Sequence, residues 1–427
     1  MKHAKQETLS ILSAPDAQQP ARQANVAAIA AYLASGCKKT SKCVGIELEH
    51  ILVDGTGDPI SYSQPHGVRE ILQTLTEHYP ETTMHGEDLL GVARPGMAVT
   101  IEPAAQLELS AGPFATLEEA KRAFIEFEQH VADALEPIDG RALAIGYDPV
   151  NIAVNKELIP KDRYAFMNEY LSAISPYGPR MMRGSAATQI SIDFADEEDC
   201  VRKMRVASVL APLFALMCDN SPFFEGTRRP HPLMRTEIWK YCDPDRCNTV
   251  PGLFNAGFGF EAYAEYILDT PAIVVMDEEG EARYDTRTFG EIYADTPMTR
   301  ENVEHALSMV FPDVRMKTYV EIRPADAMPI SYALSYAALI KGLFYSKANL
   351  DTLSHSCEDL LEGDIWDAKE ALMTHGYDAT VYGRPAAEVC EDLLVLAKKG
   401  LPGAEWHYLT PLARLVEMRK TLADLAL

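Results

Sequence analysis

The stretch CVGIELEHILVDG, residues 43–55, constrains the fold more than any other part of the chain. It is apolar enough to be a buried strand, yet it carries Glu47 and Glu49 two places apart. Strand side chains alternate between faces, so Val44, Ile46 and Leu48 point one way and the two glutamates the other. Such a strand needs a core beneath it and a use for carboxylates above it.

The same device recurs three times. VTIEPAAQLELS (99–110) reads as a second strand, with Glu102 upstream and Gln106, Glu108 and Ser110 set against Leu107 and Leu109. AATQISIDF (186–194) sets Gln189, Ser191 and Asp193 against Ile190, Ile192 and Phe194. KTYVEIRPAD (317–326) sets Tyr319, Glu321 and Arg323 against Val320 and Ile322. Alternation of this kind marks antiparallel sheets with one covered face.

Helical patterns lie between these strands, over 21–35, 68–78, 116–135, 197–217 and 299–309. Thr116 and Glu119 form the signature of a capping box, and the last hundred residues read as four or five helices. The pattern predicts an α+β fold: a curved, mainly antiparallel sheet shaped as a cup, with helices on its convex side. No repeat or linker divides the chain, so residues 1–427 read as a single catalytic domain. It has an N-terminal helical lead over 1–40 and a C-terminal helical region over 330–427. Residues 220–260, rich in Pro, Gly and Asn, read as a functional loop region.

Composition narrows the partners. At 427 residues and 47% hydrophobic, the chain can bury a large core. A formal net charge of −24 argues against nucleic acid and anionic membranes. The N-terminus lacks the apolar run of a secretory signal, and no stretch is long enough to span a bilayer. Eight cysteines without zinc-site or C-x-x-C spacing read as reduced, mostly buried thiols, with Cys242 and Cys247 a minority disulfide reading. These features predict a cytoplasmic protein.

Glutamates gathered on one concave face repel each other and call for a cation. For one pair, ion pairing or solvent exposure is the simpler reading. Three strands carrying Glu47, Glu49, Glu102, Glu108 and Glu321 favour Mg²⁺, a hard ion that prefers oxygen, since no His and Cys cluster accompanies them. Sites of that kind often hold nucleotide phosphates. The chain has no P-loop, and its GFGF lacks the third glycine of a dinucleotide-binding turn. Lys161 and Arg163, beside Tyr164 in LIPKDRY, stand either as phosphate-binding cations or as a solvated loop pair.

Taken together, GIELEH, IEPAAQLELSAGPF, IPKDRYAFMNEYL, TQISIDFADEEDCVRKMRV, SPFFEG, RTEIWKYCDPDR, FGFEAYAEYILDTP and FPDVRMKTYVEIRPAD resemble glutamate–cysteine ligase of the plant-type branch, which bacteria also possess. The motifs run in family order from about residue 43 to 345. The resemblance implies a glutamine-synthetase-like ligase that uses ATP and Mg²⁺ to form γ-glutamyl phosphate. Cysteine then displaces phosphate to give γ-glutamylcysteine, the first step of glutathione-type thiol synthesis. It implies L-glutamate, L-cysteine and ATP as small-molecule partners of a monomer or homodimer.

Carried over by motif, Glu47, Glu49, Glu102, Glu108 and Glu321 would hold metal, with Glu49, Arg235 and Arg323 catalytic. Arg235, Arg323, Gln189, Tyr241 and Trp239 would bind substrate; the two aromatics read equally well as core. Lys161, Arg163 and Arg246 would bind the nucleotide phosphates. Two departures fall near the substrate face. Ser185-Ala186-Ala187-Thr188 stands where the family has Thr-Cys-Thr-Val, and Arg323-Pro324-Ala325-Asp326 where it has Arg-Gly-Ala-Asp. A γ-glutamyl ligase for another amine is the alternative within this fold. A Mg²⁺-dependent phosphohydrolase and a non-catalytic metabolite-binding protein are more distant ones.

Overall fold

The computed structural model describes residues 19–277 and 280–427. The part of the expected N-terminal lead over residues 1–18 lies outside them. Within them, residues Gln19–Ala34 form a helix (α1), and Val68–Leu75 form the next (α2).

Nine strands among the described residues make one sheet, and every pairing in it is antiparallel. They are β1 (Val44–Val53), β2 (Glu81–His85), β3 (Asp88–Arg94), β4 (Met97–Ile101), β5 (Leu107–Phe114), β6 (Arg141–Leu143), β7 (Ala187–Ile192), β8 (Val314–Met316) and β9 (Val320–Asp326). The order is β8-β9-β7-β1-β5-β4-β3-β2, with β6 pairing the far end of β1. The four strands with one-sided alternation are therefore neighbours, and their polar faces merge. The expected antiparallel sheet wrapped by helices is the one observed.

The apolar faces carry the core. Val44, Leu48, Leu107, Leu109, Ile190, Val320 and Ile322 are completely buried. Three helices cover this side: α3 (Leu117–Leu135), α6 (Glu197–Met217) and the helix Ile330–Phe344. The capping box of α3 forms as expected, with the Thr116 side chain accepting from Glu119 N–H and Glu119 reaching back to Thr116 N–H. Asp196 caps α6, and Glu197, Glu198 and Asp199 fill its first turn, where negative charge favours the helix dipole. Nearly every residue of α6 after that turn is buried, as suits a helix enclosed by sheet and helices.

The acidic face is covered by α4 (Asp162–Ile174), α5 (Tyr177–Gly184) and α7 (Met234–Lys240). The last of these lies inside the span expected to be loop. The expected strand over 99–110 is two strands, β4 and β5, joined at Glu102–Gln106, with Ala105 at φ 64°. Gln106 holds this turn, accepting from Ala104 N–H and donating to the carbonyls of Met182 and Ser185. The C-terminal region contains six helices, one more than the upper expectation, the last being the single turn Leu422–Leu425.

Candidate active site

Register brings the carboxylates together. Glu49 of β1 faces Glu108 of β5, Glu47 sits between Ser110 and Gln189, and Glu321 of β9 lies between Ser191 and Arg315. Glu102 joins them from the β4–β5 turn. A cavity of about 300 Å³ opens above this face, lined by Glu47, Glu49, Glu102 and Glu108 together with Arg163, Gln189, Arg235, Trp239 and Arg323.

The acids are held at a cost. Burial, with Glu108 and Glu321 nearby, pushes Glu47 up to about 8. Burial and Glu102 raise Glu108 to about 7, although Ser110 and Thr100 donate to its Oε1 at 3.0 and 3.2 Å. Glu49 is raised well above its ordinary value by burial and by Glu102 and Glu108, against the Ala187 N–H that donates to its Oε2 at 2.9 Å. Burial likewise raises Glu102, which Lys161 partly offsets. Neither Glu47 nor Glu102 makes a side-chain hydrogen bond or ion pair among the described residues.

Glu321 is the exception. Burial alone would raise it, but Arg315, Lys317 and Arg323 hold it well below the usual carboxylate range. Their nitrogens lie 2.7, 2.9 and 2.9 Å from its oxygens. A metal ion at this carboxylate, the role expected for it, would have to displace one of these cations.

Opposite the acids stand donors without partners. Arg235 Nη1 donates to the carbonyls of Arg323 and Pro324 at 3.2 and 3.3 Å, while its buried Nε has no partner. The Nε atoms of Arg163 and Arg183 and Trp239 Nε1 are also buried without a partner, and Arg163 and Trp239 line the cavity. The guanidinium carbons of Arg235 and Arg323 lie 5.6 and 5.7 Å from the centre of the Trp239 ring. Arg323 also donates to the side-chain Oε1 of Gln189, and Gln189 Nε2 to Glu49 at 3.3 Å. Pro324 falls in an irregular stretch of the β9–β7 pairing, between Ile322 and Ala325, where a missing N–H interrupts no ladder.

Residues 43–425 match the Glutamate-cysteine ligase family 2 (GCS2). The chain belongs to this family. It is 31% identical over 390 residues to the chloroplastic glutamate–cysteine ligase of Nicotiana tabacum, covering 87% of this chain and 73% of that one. To the chloroplastic enzyme of Arabidopsis thaliana it is 30% identical over 382 residues, covering 87% and 72%. A crystal structure of the Francisella tularensis glutamate–cysteine ligase in complex with AMP superposes with a TM-score of 0.52 at 13% identity, over 88% of this chain and 81% of that one. That likeness speaks for the fold. A member of the glutamate–cysteine ligase family is a ligase enzyme.

The cytoplasmic expectation is corrected by these relatives, which are chloroplastic. Acidic composition and unpaired cysteines do not choose a compartment. Among the described residues no helix is long and apolar enough to cross a membrane.

The structure brings together Glu47, Glu49, Glu102, Glu108, Arg163, Gln189, Arg235, Trp239 and Arg323. Four others do not line the cavity: Glu321, held by Arg315, Lys317 and Arg323, and Arg246, Tyr241 and Lys161. Arg246 is completely buried elsewhere: its guanidinium is bound to Asp243 at 2.6 Å and to the carbonyls of Met309 and Pro271 at 2.8 and 2.9 Å. Every nitrogen is used, so the expected phosphate role is withdrawn. Tyr241 points outward, 44% exposed, its hydroxyl donating to Glu370 at 2.6 Å, and does not line the cavity. Lys161 acts on Glu102 electrostatically without lining the cavity.

Sequence reading missed Arg315, Lys317, Tyr164 and the methionines 167, 181 and 182, all of which line the cavity. The pattern carried a signal for the first two, since Arg315 and Lys317 keep the period of two set by Glu321 and Arg323. Tyr164 carries no signal in the sequence beyond its place beside Arg163. The methionines carry no chemical signature and are indistinguishable from core.

Proposed function

We propose that this ligase joins the γ-carboxylate of L-glutamate to the amine of L-cysteine through γ-glutamyl phosphate, with ATP as phosphoryl donor and Mg²⁺ bound by the acidic row. One observation carries the reading: four glutamates, raised by burial and mutual repulsion, face a set of unpartnered arginine and tryptophan donors across one cavity. The first group calls for divalent cations and the second for an anionic substrate.

The fit to Mg²⁺ rests on these donors. Glu47, Glu102 and one oxygen of Glu108 are free to ligate, and all are hard oxygens. No group of three carboxylates among the described residues is already closed to ligand geometry. Phosphate oxygens and water would have to complete the ion's shell. Bound there, the metal would supply neutralisation of the phosphates. The chain's own residues do the remainder. Arg235 and Arg323, both beside Trp239, receive the glutamate carboxylate, and guanidinium geometry suits two parallel hydrogen bonds. Arg163 serves the same amino-acid end in this reading.

A second, open cleft of about 510 Å³ shares Glu47 with this cavity and is lined by Lys38, Gly45, Arg94, Gly96 and Tyr319. It takes the nucleotide in this reading, so that donor and acceptor approach the acidic row from opposite sides, as in-line transfer requires. The described chain acts as one catalytic unit. The test is incubation with Mg-ATP and glutamate, then a panel of amines, following ADP and product mass. Cysteine-dependent ADP release with a γ-glutamylcysteine product supports the reading. Faster release with another amine would reassign the acceptor, and amine-independent release would make the protein a hydrolase.

A further inference from the structure

Glu321 carries one negative charge and has three cationic neighbours. Two of them have further ties. Arg315 is buried and donates through Nη1 to the Val310 carbonyl at 3.0 Å. Arg323 holds Gln189 and lies over Trp239. Lys317 has only the Tyr319 side chain, whose hydroxyl accepts from it at 3.4 Å. Its side chain is also the most accessible of the three, 24% exposed against 9% and 11%.

Its place in the fold is at a seam. Lys317 opens the turn between β8 and β9 and lines the acidic cavity, while the next two residues, Thr318 and Tyr319, line the open cleft. Glu47 lines both. The turn is seated firmly, because a Cβ on Gly36 would strike the Thr318 backbone. A fixed excess of positive charge thus stands where the two spaces meet.

We propose that Lys317 is a catalytic residue that contacts the non-bridging oxygens of the phosphoryl group as it passes from nucleotide to glutamate. This rests on the ligase reading above. In the step, the bond between the γ-phosphorus and the β–γ bridging oxygen breaks and ADP leaves with the electron pair. A γ-carboxylate oxygen of glutamate forms the new bond to phosphorus. No proton moves, and Lys317 contributes charge alone. A flexible stem ending in a compact ammonium lets it swing from Glu321 to the phosphoryl, which a planar fork tied at several points does not.

The test is glutamate-dependent positional isotope exchange in ATP labelled at the β–γ bridge, without amine. Lys317→Gln should slow exchange about 100-fold, on the scale of one preorganised charge. Glutamate KM and the affinity for a non-hydrolysable ATP analogue should stay within about threefold, because the contact belongs to the transition state. Lys317→Met keeps the stem against Tyr319 and should lose as much, so a folding defect in one variant leaves the other to decide. Lys317→Arg, which retains the charge, should recover about tenfold of the loss. Exchange within about threefold of wild type, or a loss matched by an equal loss of analogue affinity, would overturn the assignment. Absence of glutamate-dependent exchange in the wild-type protein would overturn the ligase reading itself, and this inference with it.

Discussion

Glu49 and Glu108 lie directly opposite each other on adjacent antiparallel strands, both buried, both facing the same cavity. Paired carboxylates in that position destabilise the metal-free fold and favour any state that neutralises them. Glu108→Gln should therefore raise the melting temperature of the metal-free protein while lowering activity about 100-fold or more at low Mg²⁺. Thermal unfolding with and without Mg²⁺, beside steady-state turnover, checks both halves. Unchanged turnover at low Mg²⁺ would remove Glu108 from the site.

Protons should compete with metal. Glu47 is raised to about 8 and Glu108 to about 7, from an ordinary 4.5. Between pH ~5 and ~8 the native metal-free protein keeps protons that the unfolded chain has released, so these groups make stability fall as pH rises through that window. Metal must displace the same protons, and at pH 7 Mg²⁺ binding should release about 1–2 of them. Calorimetric titration in buffers of different ionisation enthalpy measures the release. A buffer-independent heat would contradict the shifts.

Arg235→Lys tests the carboxylate clamp. Lysine keeps the charge but loses the two-pronged contact and the guanidinium stacking beside Trp239. The expected loss in kcat/KM for glutamate is about 2–4 kcal/mol, with folding retained. Wild-type kinetics in this variant would leave Arg235 as a brace for the Arg323–Pro324 backbone, whose carbonyls it already holds.

The buried thiols should be inert. Of eight cysteines only Cys37 is exposed and Cys43 partly so, and burial pushes the Cys200, Cys218, Cys247, Cys357 and Cys390 thiols up. Titration of the native protein with a disulfide reagent should modify Cys37 and Cys43 quickly and the others only after denaturation. Cys43 lines the open cleft, so blocking it should weaken nucleotide binding, whereas a change from reducing to mildly oxidising buffer should alter activity no more than about twofold. Rapid modification of Cys242 or Cys247 with loss of activity would show the loop around them to be open.

The acidic face was legible because a strand's period is two: once Val44, Ile46 and Leu48 are core, Glu47 and Glu49 can only face the other way. The capping box of α3 and the span of α6 were legible for a similar reason, since their signals are local in sequence. What failed was set at long range. Nothing near Arg246 reveals that the carbonyls of Met309 and Pro271 will claim its guanidinium. Alternation continues across 99–110 because Glu102 and Glu108 share a face, which hides the turn between them. Arg315 was hidden because the three-residue strand that carries it, Val314–Met316, is too short to read as one.

The central claim is an acyl phosphate on glutamate, and an oxygen label follows it directly. With L-glutamate labelled with ¹⁸O in the γ-carboxylate, cysteine and Mg-ATP, the account predicts one labelled oxygen in each inorganic phosphate released, since the carboxylate oxygen that attacks phosphorus leaves with it. Phosphate free of label alongside γ-glutamylcysteine, with the lost γ-carboxylate oxygen appearing in water or AMP instead, or no γ-glutamylcysteine at all, would contradict it.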